Sequence, residues 1–364
     1  MNSCFIRDYI GDCTPMKKPS LLTIITICFG AILFLVVLNI VGFSKIIEAI
    51  GLLSFSNILI LCAVFVVQLT LCTISLKIIL ASFGYKLPFK TLAILNSIKY
   101  TFSYITPFLN TGGEPVQIYL LYKKYDIPLT KGTTAVFLER MLRFTVSLSI
   151  VILGIFYVFS KFTLPNNVVF VCLVSLLPWF LFVYIFYKKN LAGEGFIHFI
   201  LALFGIFRFS FVKKIEDPIN KIDQDMSEFL TRHKKELASC LALSFISVLM
   251  EIVQIYLLLS FLHSPLTMPG IFLIFLVMKM AVFIPVPSAL GVLETGITGA
   301  FVIQNMASSL GFVFTLVFRF VGLILAIPGM LFFPYFGVKL RKALSSDLSS
   351  ILKHTNNNLG EDSD

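Results

Sequence analysis

Pro107-Phe-Leu-Asn-Thr-Gly-Gly-Glu114-Pro115 interrupts an apolar part of this chain, and Arg140 and Arg143 follow 26 and 29 residues after the glutamate. A second stretch is built alike: Pro285-Val-Pro287-Ser-Ala-Leu-Gly291-Val-Leu-Glu294, with Arg319 following 25 residues later. Paired Gly/Pro-broken hydrophobic segments in two halves of a membrane protein point to a site near the bilayer midplane. Charges held in hydrocarbon are costly and need a partner or a purpose. The two stretches therefore set both the fold to expect and the place to look for function.

Composition agrees with a membrane setting. Of 364 residues, 58% are hydrophobic and 13% charged, against about 25% charged in soluble domains. Long apolar runs with short polar gaps predict an all-α polytopic protein, and no alternating ten-residue pattern suggests a barrel. The net charge of +10 lies at the ends of apolar spans, which fits the positive-inside rule and argues against nucleic acid. The seven cysteines include Cys28, Cys62, Cys72, Cys172 and Cys240 inside apolar runs, and there is no CxxC. They read as buried thiols. The four scattered histidines make no ligand spacing, and no Walker or Rossmann pattern occurs, so neither a metal nor a cofactor is expected.

Six full spans are predicted, at 20–42, 55–82, 132–160, 167–187, 237–262 and 309–337. The first follows Lys17 and Lys18, is too long for a signal-peptide core and reads as an uncleaved anchor. Residues 1–19 form a cytoplasmic N-terminus and 338–364 a cytoplasmic tail, with a transmembrane domain over 20–337 and a cytoplasmic insertion at 188–235. The broken segments, about 88–122 and 265–304, are read as re-entrant hairpins. With both termini inside, 21 of the 29 Lys and Arg fall in cytoplasmic parts and two, Lys45 and Lys161, outside. The first hairpin then enters from the cytoplasm and the second from outside, which makes an inverted repeat. A full crossing by 88–108 would leave a return leg of seven residues, Val116 to Tyr122, too short to span. Phe196 to Phe207 is apolar enough to resemble a span, but crossing there would place seven basic residues outside. An interfacial amphipathic helix is expected instead.

The chemistry of the broken segments is specific. Gly112 and Gly113 allow positive φ and a tight reversal, and Pro115 suits the first turn of a new helix. In the second unit Ser288 can cap and Gly291 can turn. A half-helix starting within the membrane aims its N–H groups at the cavity and attracts an anion such as phosphate. Arg140, Arg143 and Arg319 offer planar forks suited to a phosphodiester. Glu114 and Glu294 have three open roles: pairing with the arginines, binding a cationic headgroup or carrying a proton. In the plainest reading the Glu and Arg groups only neutralise one another and hold the hairpins in place. Glu251 and Lys279 either pair or belong to the route, whereas Lys77 and Lys99 are expected to snorkel to the cytoplasmic interface.

Gly112-Gly113-Glu114-Pro115, then Phe137-Leu-Glu139-Arg140, then the run from Pro285 to Glu294, resemble the lysylphosphatidylglycerol synthase transmembrane-region family. The resemblance runs from about Pro19 to Gly337. It implies a flippase-like module in a bacterial or archaeal plasma membrane, similar to the part of the multiple peptide resistance factor that moves aminoacylated phosphatidylglycerol. It also draws Glu139 into the candidate site. Nothing after Gly337 is large enough for an aminoacyl-transferase domain, so an enzymatic label is not expected to carry over.

The leading expectation is a lipid translocase whose cargo is an anionic or aminoacylated phospholipid or a lipid-linked glycan. Two alternatives stay open. One is a non-catalytic membrane partner of a separate aminoacyl- or glycosyl-transferase. The other is a lipid-modifying transferase with Glu114 or Glu294 as general base, although no nucleophile–base spacing is visible.

Overall fold

A computed structural model of the chain describes residues 51, 53–105, 112–161, 166–203, 216–264, 267–281, 289 and 291–335. The chain divides into two compact units, Asn39–Gly329 and Met1–Leu38 with Met330–Asp364. Of the second unit only residues 330–335 are described, as the end of a helix. The predicted first span, the N-terminus and the tail lie outside the described residues.

Those residues form eleven helices and no strand. In chain order they are α1 (Phe55–Ser82), α2 (Phe89–Ile105), α3 (Gly113–Tyr125), α4 (Leu129–Lys161), α5 (Asn166–Leu191), α6 (Phe196–Leu203), α7 (Glu216–Arg232), α8 (Lys234–Phe261), α9 (Met268–Ala281), α10 (Val292–Ile303) and α11 (Ser308–Tyr335). Four of them, α1, α4, α8 and α11, are long and apolar enough to cross a membrane. α5 is 26 residues long and carries Pro178 inside it.

Local chemistry explains the ends of α1. Ser54 accepts the Asn57 N–H on its hydroxyl at 3.3 Å, which serves one of the free donors of the first turn. At the other end Gly84 takes φ +89°. Its N–H reaches the Ala81 carbonyl at 3.0 Å, and the Tyr85 N–H reaches that of Leu80 at 2.9 Å. This is the two-bond arrangement that a left-handed glycine closes at a helix C-terminus.

The helices of the two broken segments are short. α2, α3, α9 and α10 have 17, 13, 14 and 12 residues, or roughly 18–26 Å at 1.5 Å per residue. Each falls short of the hydrocarbon thickness of about 30 Å. α3 starts earlier and ends later than the seven-residue leg expected from sequence, because Gly113 and Glu114 already belong to its first turn. α2 packs on α3 and α9 packs on α10. α1 lies along α8, and α4 touches α1, α3, α8 and α9. α2 is tied to α11 by hydroxyls that donate to carbonyls: Tyr104 to Arg319 at 3.1 Å, Tyr100 to Gly322 at 3.3 Å and Thr101 to Ala326 at 2.7 Å. Glycines open this seam, since a Cβ at Gly322 would press on the Tyr104 ring and one at Gly329 would overlap Thr101 and the Ser97 carbonyl. Small residues at such a seam let helices approach closely.

Within the insertion, α6 has 8 residues, about 12 Å and too short to span. Residues 204–207 lie outside the described residues. α7 buries Ile219, Met226, Phe229 and Leu230 against α4, α5, α6 and α8. Lys131 of α4 reaches Asp225 at 2.8 Å and lies over the Phe83 ring. Asp223 of α7 accepts the backbone N–H groups of Ile197 and His198, both at 2.9 Å, and so caps α6 from another helix. Burial raises the Asp223 carboxyl above its ordinary range, and the α6 N–H donors pull it back only in part. The charge is thus less useful than the acceptor oxygen. Asp223→Ala is expected to destabilise α6 by about 1 kcal/mol. Asp223→Asn, which keeps an acceptor, should cost less. Amide hydrogen exchange at Ile197 and His198 reads both, and equal protection in wild type and Asp223→Ala would remove the capping role.

Candidate functional site

The first broken segment is held at Gly113. Its N–H donates to the Ser103 hydroxyl at 3.1 Å, and a Cβ there would overlap the Lys99 carbonyl of α2. Close approach of two backbones therefore explains the residue. The expected positive φ is absent: Gly112 sits at φ −66°, ψ −13°, and neither it nor Gly113 is among the left-handed glycines. Glu114 lies in the first turn of α3 and pairs with Arg140 of α4. Its second carboxylate oxygen is buried with no hydrogen-bond partner among the described residues.

The second broken segment uses its glycine differently. Gly291 precedes α10 at φ +78°, a conformation costly for any residue with a Cβ. Its N–H donates to Glu294 Oε2 at 2.8 Å, so Glu294 reaches back over the first turn. Glu294 Oε1 accepts from Arg319 Nε at 2.5 Å, and Arg319 Nη2 donates to the Ala289 carbonyl at 3.2 Å. Pro107, Thr111, Pro285, Pro287 and Ser288, with the cap expected at Ser288, lie outside the described residues.

One cavity of about 370 Å³ collects these groups. Glu114, Arg140, Arg143, Glu251, Lys279 and Arg319 line it, drawn from α3, α4, α8, α9 and α11. Glu251 and Lys279 pair across α8 and α9. Glu294 and Glu139 are not on the wall: Glu294 stands behind Arg319, and Glu139 is 2% exposed between two cations. Lys99 Nζ lies 3.0 Å from Glu139 Oε2, and Arg143 Nη2 lies 3.3 Å from Oε1. Arg143 also donates from Nη1 to Cys72 Sγ at 3.0 Å. Uncharged polar groups complete the wall. Gln68 Nε2 donates to Gln254 Oε1 at 3.1 Å, joining α1 to α8, and Asn96 holds Thr73 and Gln117 at 2.9 and 2.7 Å.

Two sequence expectations change here. Lys99 is 7% exposed and lines the cavity, paired with Glu139, in place of snorkelling to the interface. A carboxylate of α4 within reach outweighs the pull of water on a buried amine. Cys72 also lines the cavity and accepts from a guanidinium, so it is more than packing. Gln68, Asn96 and Gln254 line the cavity as well, without being among the residues expected from sequence. Their signal was an amide inside an apolar run, which costs several kcal/mol when unpaired in hydrocarbon.

Four apolar helices of spanning length, gathered with shorter helices around a cavity of paired charges, define a polytopic helical membrane protein with an internal polar chamber. The chain belongs to the lysylphosphatidylglycerol synthase TM region family, whose profile matches residues 22–329. No curated protein and no solved structure matches it.

Proposed function

We propose that this protein moves a lipid between leaflets, with the headgroup passing through the cavity while the acyl chains stay in the bilayer. One observation carries the reading: Glu114 of the first broken segment and Arg319, the partner of Glu294 in the second, line the same cavity. Intramembrane ionisable groups facing one chamber are the usual mark of a transport route. The Glu114 oxygen that has no hydrogen-bond partner among the described residues is the acceptor proposed for the headgroup, and the arginines are the donors. Membership in a family named for lipid chemistry points to a lipid cargo.

The proposed topology is six spans and two opposed re-entrant hairpins, with both termini in the cytoplasm. It is supported by the shortness of α2, α3, α9 and α10 and by the 21-to-2 placement of basic residues. The plasma membrane is the proposed location. The cargo is an anionic or aminoacylated phospholipid or a lipid-linked glycan.

Proteoliposomes holding the full chain and a fluorescent lipid test the function. Exchange between leaflets should be faster than in protein-free vesicles for at least one lipid of an anionic, aminoacylated and glycan-linked panel. Equal rates with and without protein across that panel would sink the proposal.

A further inference from the structure

Resting on the translocase reading, we infer that the cavity's anion subsite is the corner formed by Arg143 and Lys99, and that the Cys72 thiol is its displaceable placeholder.

The helix ends do not supply the subsite. Glu114 and Glu294 sit in the first turns of α3 and α10, so the positive end of each helix already faces a carboxylate of this chain. Among the described residues three of the cations each pair with a carboxylate: Arg140 with Glu114, Lys279 with Glu251 and Arg319 with Glu294. Arg319, 5% exposed, also spends a donor on the Ala289 carbonyl. Drawing any of these onto a ligand strands a carboxylate, which costs several kcal/mol in a buried place.

The remaining group is different. Among the described residues Glu139 is the carboxylate within ion-pair distance of both Lys99 and Arg143, so that corner holds one more cation than paired carboxylates. Arg143 is the cation whose second amine is spent on sulfur, a weak acceptor. Its side chain is 31% exposed and lines the cavity. The Ser247 hydroxyl lies 3.9 Å from the same sulfur and adds a further polar group. The corner thus fits one singly charged oxyanion whose oxygens take the amine now on Cys72. A phosphodiester and monoanionic inorganic phosphate share that chemistry. Exchange of Sγ for a charged oxygen replaces a weak hydrogen bond with a charge-assisted one.

Titration of the full chain in uncharged detergent micelles tests this, with dihexanoyl-phosphatidylglycerol in one arm and inorganic phosphate in the other. Arg143→Gln and Cys72→Asp should each weaken binding by about tenfold or more, the second because a resident carboxylate takes the fork permanently. Cys72→Ala should bind about two- to fivefold tighter, since the fork is then free. Lys131→Gln, which breaks the contact of α4 with Asp225 of α7, serves as the control. Melting of each variant identifies misfolding, and if Arg143→Gln does not fold, Cys72→Asp decides. Wild-type affinity in Cys72→Asp overturns the inference. Binding of inorganic phosphate without the diester upholds the subsite and removes the lipid as its ligand. Binding without leaflet exchange leaves the subsite standing and removes the translocase reading.

Discussion

Glu139→Gln is expected to destabilise the protein by about 3–5 kcal/mol, the cost of removing one member of a buried ion group. The side chain keeps its volume but exchanges one acceptor oxygen for a donor amide, so the loss combines the charge with one acceptor. Glu139 is 2% exposed and carries Lys99 on one oxygen and Arg143 on the other. Without it, two cations face each other where water is scarce, and α2 loses its ionic link to α4. The readout is the melting temperature in micelles, compared with Lys131→Gln, whose ion pair ties α4 to the insertion. A second variant separates charge from shape: Lys99→Met added to Glu139→Gln removes one stranded cation and should recover part of the loss. If Glu139→Gln melts with wild type, the triad is not a buried ion group and the subsite argument falls with it.

Gly113→Ala comes next in size. The added Cβ would overlap a backbone carbonyl, that of Lys99, with the Ser103 hydroxyl also in the way. Backbone yields less readily than a side chain, so α3 must move away from α2. A cost of about 3 kcal/mol is expected from overpacking. The movement carries Glu114 away from Arg140, so leaflet exchange should fall as well. Gly291→Ala makes an informative contrast. Nothing lies within 4 Å of a Cβ there, and only the φ of +78° is unfavourable, which costs about 1–2 kcal/mol. Both variants are compared by melting and by exchange in proteoliposomes. Equal melting of the Gly113→Ala and wild-type proteins would remove the close-approach argument.

The two glycines show where sequence reading reaches its limit. Each precedes a glutamate in the first turn of a helix, Gly113 by one residue and Gly291 by three, and in sequence both read as turn residues. At Gly291 the reading holds, because positive φ is a property of one residue and its neighbours. At Gly113 the reason is a carbonyl on another helix, 14 residues back, and no local rule reveals it. Similarly, Glu114–Arg140 and Glu294–Arg319 were open as pairs because each charge needs a partner in hydrocarbon. Glu139 shared between Lys99 and Arg143 was not foreseen, since the choice depends on which faces of α2 and α4 meet.

By itself the amino-acid sequence determined the membrane class, the family, the ends of α1 and the position of two broken segments. These follow from hydropathy, capping and backbone preferences, which act over a few residues. Tertiary structure alone decided that residues as distant as Gln68 and Gln254, or Cys72 and Arg143, share one chamber. Such partners are chosen by helix packing, and periodicity says which face is polar without saying which other face it meets.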